Sequence, residues 1–323
     1  MTPWWKKLMS TRRDRGTTHG VAELPRLNRA TIAHLLVTRY KLPQVDWDIA
    51  DEWLTKHHSQ SIELMRRAVV AAWLEELRDA LDVDHQSWRM LQVEGLTPLE
   101  SSFGLRTKKA LDRSITEVQR SLEPVRGGAT IPAFALVGLR TQSDYISFES
   151  HFFSGEGQWA TSGGCYIRAR GPSFPLIVLN LSSKFHAEAT IAHELTHHAL
   201  CECNIPLWIE EGLTQMMEER VTGIQNFSLS AETAGKQRAR WAGDALREFL
   251  DGEGFSSPED EDQQLAYHLS QWIVRRLLDE QPKQFFAFLR DCADTEPNAS
   301  CLKHLGCSEE ELARSAAGIP DEE

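Results

Sequence analysis

Apolar positions recur along this chain at two different periods, and the change from one to the other marks out its elements. From Asp46 to Asp82 the residues Trp47, Ile49, Trp53, Leu54, Ile62, Met65, Val69, Trp73, Leu77 and Leu81 follow helical spacing. With a short apolar helix over Thr31–Val37 that ends near Pro43, the whole stretch Leu27–Val83 reads as helical. Five of the ten tryptophans lie before residue 80, where their bulk suits anchors between helices. Thr107–Leu122 is a further amphipathic helix, closed by Gly127-Gly128. The pattern then shortens. Pro132–Leu139 is a compact apolar run that reads as a strand, and Thr141–Asp144 offers caps for a helix over Tyr145–Phe153. After a loop punctuated by Gly155, Gly157, Gly163 and Gly164, Cys165–Ala169 and Leu176–Leu181 read as antiparallel strands across an Arg170–Pro175 turn.

Helical spacing returns after Ser182-Ser183. Ala189, Ile191, Ala192, Leu195 and Ala199 give a helix over Ala187–Leu200 an apolar face, so it is expected to be buried on several sides. Asn204-Ile205-Pro206 breaks the chain before a second helix over Pro206–Arg220. Then come a charged helix over Gly235–Leu250, a loop over Asp251–Asp262, apolar helices over Gln264–Glu280 and Pro282–Asp294, and a last one over Ser308–Ala317. The reading is an α+β fold with a small sheet, preceded by a helical region.

Composition narrows the functional classes. A net charge of −12 argues against nucleic acid as a general partner. The acidic runs at Pro258–Asp262 and Asp321–Glu323 read as solvated. No run of 18 apolar residues is present, so no transmembrane segment is expected. Met1–Arg15 carries Lys6, Lys7, Arg12, Arg13 and Arg15 with no apolar core behind them, unlike a secretory leader, and reads as a solvated tail despite Trp4 and Trp5. The six cysteines form no C-x-x-C pair, which fits reduced thiols in a cytoplasm. Cys201 and Cys203 follow the Ala187–Leu200 helix closely, but two thiols without further ligands make a poor metal site.

The chemistry concentrates in His193-Glu194-Leu195-Thr196-His197. Residues four apart on a helix share a face, so His193 and His197 can turn two imidazoles to one metal ion. Glu194 sits one step round, where a carboxylate reaches a water at that metal. Chance histidines on a surface helix are the plain alternative. The apolar helix, the preceding strand and a carboxylate on the following helix, Glu210 or Glu211, favour a site. Catalytic zinc takes three protein ligands and keeps one open position.

The segment Trp208-Ile209-Glu210-Glu211-Gly212 resembles the W-L-x-E-G segment of gluzincin zinc metallopeptidases. Trp208, Ile209, Glu211 and Gly212 fit position by position, which selects Glu211 as third ligand, with thirteen residues between it and His197. The order of strand, helix, glycine-rich loop, strand and motif helix is similar to that of peptidase-MA-like domains, as are Tyr267–Ser270 and Leu305–Leu312. The resemblance covers roughly residues 110 to 318 and only its two metal motifs are specific. It divides the chain into a helical N-terminal region of unassigned role, 1–109, and a zincin-like metallopeptidase domain, 110–323.

What the resemblance implies is a hydrolase of peptide or protein substrates. Zn²⁺ is held by His193, His197 and Glu211, and Glu194 is the general base toward the attacking water. Tyr267 is the candidate donor to the developing oxyanion, with an ordinary core tyrosine and His268 as the alternatives. Gln215, four residues after Glu211, is expected to orient His193 through its amide oxygen. His198 points about 100° away from His197 and reads as a neighbour. Leu176–Leu181 is a candidate for pairing with an extended peptide. A hydrolase of non-peptide amides or esters, and a non-catalytic domain binding peptides or a partner protein, remain alternatives. The intact Glu194 weighs against the second, and a three-ligand set against a purely structural zinc.

Overall fold

The structure is a computed structural model and describes residues 24–58, 61–81, 84–99, 101–153, 163–167, 174–182, 187–225 and 229–320. The basic start 1–15, the loop glycines Gly155 and Gly157, most of the turn from Arg170, Ser183 and the acidic end 321–323 lie outside the described residues. By packing the chain forms two compact units.

The first unit comprises His19–Thr116 and Ile131–His198. It opens with helix α1 (Arg29–Ile32), a 3-10 turn, the antiparallel hairpin β1 (Leu36–Arg39) and β2 (Leu42–Val45), then helices α2 (Trp47–His58) and α3 (Ile62–Ala80). The helix expected through Val37 therefore stops early. Tyr40 and Lys41 both take positive φ, which a two-residue turn between twisted strands requires, and that turn commits Leu36–Val45 to a hairpin. Strands β3 (His85–Met90) and β4 (Val93–Pro98) follow, then helix α4 (Ser101–Arg126), β5 (Phe134–Leu139), α5 (Gln142–Glu149), β6 (Gly164–Ile167), β7 (Leu176–Asn180) and the motif helix α6 (Ala187–Leu200).

Five strands form one mixed sheet in the order β3-β4-β5-β7-β6. The β4, β5 and β7 strands run parallel, while β3 and β6 are antiparallel to their neighbours. Every residue of β4, β5 and β7 is buried, as interior strands with both faces covered require. Ala135, Val137, Leu139, Cys165 and Val178 pack with Trp73, Leu74 and Leu77 of α3 and with Tyr145 and Phe148 of α5. The Trp73 indole donates to the Pro43 carbonyl at 2.8 Å, so this tryptophan is the core anchor the pattern predicts. The antiparallel pairing of β6 and β7 also agrees with expectation. The role assigned to β7 in pairing with a peptide does not: β5 and β6 occupy its two hydrogen-bonding edges, and the edge strands are β3 and β6.

The second unit comprises Glu117–Thr130 and Ala199–Glu323. Its helices are α7 (Leu207–Thr222), α8 (Ala231–Arg240), α9 (Ala245–Leu250), α10 (Asp260–Glu280), α11 (Pro282–Asp291), α12 (Pro297–Leu305) and α13 (Glu309–Ala317). The single helix expected over Gly235–Leu250 is two: the chain turns at Trp241–Asp244, where the fully buried Trp241 packs on Phe249 and its indole donates to Gln237 at 2.7 Å. Helix α7 lies tightly against α10. A Cβ on Gly212 would meet the Ser270 carbonyl oxygen at 2.5 Å, so this approach admits only glycine. Gln271 and Arg275 of α10 both bind Glu219 of α7, at 2.8 and 2.6 Å. Among the described residues no helix is long and apolar enough to cross a membrane.

Candidate metal centre

The motif helix forms over the range its apolar face predicts, Ala187–Leu200. Ile191, Ala192, Leu195 and Ala199 are buried, and Thr196 turns its hydroxyl back to the Ala192 carbonyl at 2.7 Å. The polar residues therefore fall on the remaining faces. His193 and His197 lie one turn apart and half-buried, with their Nε2 atoms 3.1 Å from each other and ring centroids 4.8 Å apart. Glu194, next to His193 in the chain, is buried.

Glu211 reaches its place through the W-I-E-E-G segment. Trp208 is fully buried and its indole donates to the Glu309 carboxylate at 3.2 Å, which ties the start of α7 to the start of α13. The Thr214 hydroxyl lies 2.7 Å from the Glu211 carbonyl and 3.4 Å from its carboxylate Oε2. One ligand atom each from His193, His197 and Glu211 lie within 4.8 Å of one another, a group able to hold a metal ion. Glu210 is not in that group, and neither are Cys201 and Cys203. None of the six cysteines is in a disulfide, and burial pushes the Cys203 thiol above its ordinary range.

The sequence reading missed a buried acid in the neighbourhood of Glu194. Glu149, the last residue of α5, is buried, with Tyr145 one turn before it and Cys165 on β6 as hydrogen-bonding partners. Burial raises its carboxyl above the usual carboxylate range; the bonds from Tyr145 and Cys165 oppose this, and the charge of Glu194 adds to it. Burial, with the charges of Glu149 and Glu194, holds the Cys165 thiol well above its usual value. The signal was present in the spacing: Glu149 falls on the face defined by Tyr145 and Phe148, where an apolar residue is expected. Edge strand β6 reaches α6 closely, since a Cβ on Gly164 would meet Thr190 Cγ2 at 2.7 Å.

His198 is a structural histidine, as its angle on the helix predicts. It is fully buried, with Nε2 at 3.1 Å from the Pro132 carbonyl and Nδ1 at 3.3 Å from the Tyr166 hydroxyl. A carbonyl only accepts, so Nε2 carries a proton, while the Tyr166 hydroxyl can either donate to Nδ1 or accept from it. Phe134 packs on the ring at 5.0 Å.

The remaining expected residues lie in the second unit. Tyr267 is half-buried on α10, edge-on to Phe255 at 5.2 Å. His268 lines a cavity of about 460 Å³ with Gln237, Arg238 and Trp272, and burial lowers its pKa. The Gln215 amide nitrogen donates to Glu218 at 3.1 Å. Compared with models of known protein families and with curated proteins, the chain matches none.

Proposed function

We propose that the chain is a zinc-dependent metallopeptidase of the gluzincin type. The observation that carries this reading is the convergence of His193, His197 and Glu211, with Glu194 adjoining them on the same helix. Two nitrogens bound to one tetrahedral zinc at its usual bond length stand about 3.3 Å apart, and the observed 3.1 Å between the imidazoles fits. The donor set fits as well, since two imidazoles and a carboxylate are ligands zinc accepts in sites that keep an open position.

His193, His197 and Glu211 would hold the ion. When bound, zinc supplies Lewis acidity, lowering the pKa of water toward 7 and polarising the scissile carbonyl. The Glu194 carboxylate takes the proton of the attacking water and delivers it to the leaving nitrogen as the C–N bond breaks. Tyr267 is assigned to the developing oxyanion as a phenolic donor, with His268 as the alternative donor on the same helix. An extended peptide would add to edge strand β6, whose neighbour β7 is already paired on both sides. Six cysteines without a disulfide support a reducing compartment such as the cytoplasm.

Incubation of the zinc-loaded protein and its Glu194→Gln variant with a peptide library tests this. Cleavage by the parent protein and its loss in the variant are expected. Full cleavage by Glu194→Gln contradicts the assigned base. Hydrolysis confined to esters or non-peptide amides shifts the substrate class, and inertness of the parent toward every substrate moves the chain to the peptide-binding alternative.

A further inference from the structure

On the second unit, a cavity of about 520 Å³ opens beside α7, well within the roughly 300–1,000 Å³ of small-molecule sites. Its apolar lining comes from Leu122, Leu213, Met216, Met217, Leu278 and Phe286. Methionine and leucine make a surface that adapts to a flexible chain. Leu213, Met216, Met217 and Arg220 sit roughly 140–240° round the helix from Glu211. The cavity therefore occupies the face of α7 opposite the metal ligand, and no metal-centre residue lines it.

Its polar wall is cationic. Arg120, Arg220 and Arg275 face Glu117 and Glu219, three guanidinium groups against two carboxylates. Arg120 binds Glu117, and Arg220 approaches the same carboxylate at 3.7 Å while donating to the Ser121 hydroxyl at 2.7 Å. Burial, and then the charge of Arg120, hold the Arg220 pKa below its ordinary value, so the two cations crowd each other. Arg275 binds Glu219 through Nη2, while its Nε is buried with no acceptor among the described residues. An anion entering here relieves the crowding and forms charge-assisted bonds to planar guanidinium groups, which match a carboxylate.

We propose that this cavity binds an amphipathic monoanion, a medium-chain fatty acid, with its carboxylate on the arginine wall and its alkyl chain on the methionine and leucine lining. The buried Nε of Arg275 calls for an anionic head, and the lining calls for an unbranched apolar tail.

The test is calorimetric titration and thermal melting of the full chain with decanoate below its micelle concentration, beside decanol and acetate. Decanoate is expected to bind one per chain and raise the melting temperature, with neither control doing so. Arg120→Gln removes a partly exposed cation and should weaken decanoate about tenfold or more. Met216→Trp fills the cavity and should abolish binding, while the far-UV spectrum and the melting temperature without ligand stay near those of the parent. Absence of one-to-one binding, an equal response to decanol, or parental affinity in both variants overturns the proposal. Binding of N-acetyl-leucine but not decanoate also overturns it, by assigning the cavity to a peptide C-terminus.

Discussion

His197 and His198 are neighbours in the chain and about 100° apart on one helix, yet their surroundings differ in kind. His198 is enclosed, with the Pro132 carbonyl at one ring nitrogen and the Tyr166 hydroxyl at the other. His197 is half-buried and turns Nε2 toward the Nε2 of His193, beside the Glu211 carboxylate. Two imidazoles and a carboxylate meeting in one place are the arrangement a shared cation satisfies. Residue type therefore does not separate a candidate ligand from a core histidine. What faces each nitrogen does.

That contrast is broken most sharply by exchanging the two positions in turn. His197→Ala is expected to drop bound zinc from about one ion per chain to near none, and with it any hydrolysis, whereas His198→Ala retains the metal; metal analysis of the purified variants reads both. Next in size is Glu194→Gln, which should keep the metal and lower peptide hydrolysis by about 10²–10⁴-fold, the range of a lost general base. The cost of His198→Ala lies in stability, since it leaves the Pro132 carbonyl and the Tyr166 hydroxyl without their buried partner. About 1–3 kcal/mol is expected in denaturant unfolding.

The smallest effect concerns Glu149. Its carboxyl is raised above the unfolded-state value, chiefly by burial, so the folded chain holds the proton more tightly than the unfolded one. Its contribution favours folding most below the unfolded pKa and is lost as pH rises through the folded one. Glu149→Gln should flatten that pH dependence and raise the melting temperature above the transition, as thermal melts across pH would show. A steeper fall in the variant would mean that the side chain is ionised and held by a cation.

Much of this was legible in the sequence where one element decides its own environment. The motif helix, the caps of α5 and the all-buried strands β5 and β7 are set by local period and by turn residues, and they form where the pattern places them. Strands β3 and β4 escaped because their sequences, HQSWRM and VEGLTP, carry little apolar alternation. Glu94 is buried in β4 only because Arg67 of α3 and Arg89 of β3 both bind it at 2.8 Å, one of them a partner distant in sequence. Helix α12 escaped too, being nine residues bounded by Glu296, which caps it, and by Gly306. At the candidate site, the ligand spacing was written in the chain. The burial of Glu149 was marked by its helix face, but its meeting with Cys165 was not, because the two residues come together only when α5 and β6 pack.

The most direct measurement is the zinc content and zinc affinity of the parent protein beside Glu211→Ala and Glu194→Gln. About one tightly held zinc in the parent, kept in Glu194→Gln and lost in Glu211→Ala, is the result expected of a His193–His197–Glu211 centre. A parent chain that binds no zinc, or a Glu211→Ala variant that holds it as tightly as the parent, would contradict it.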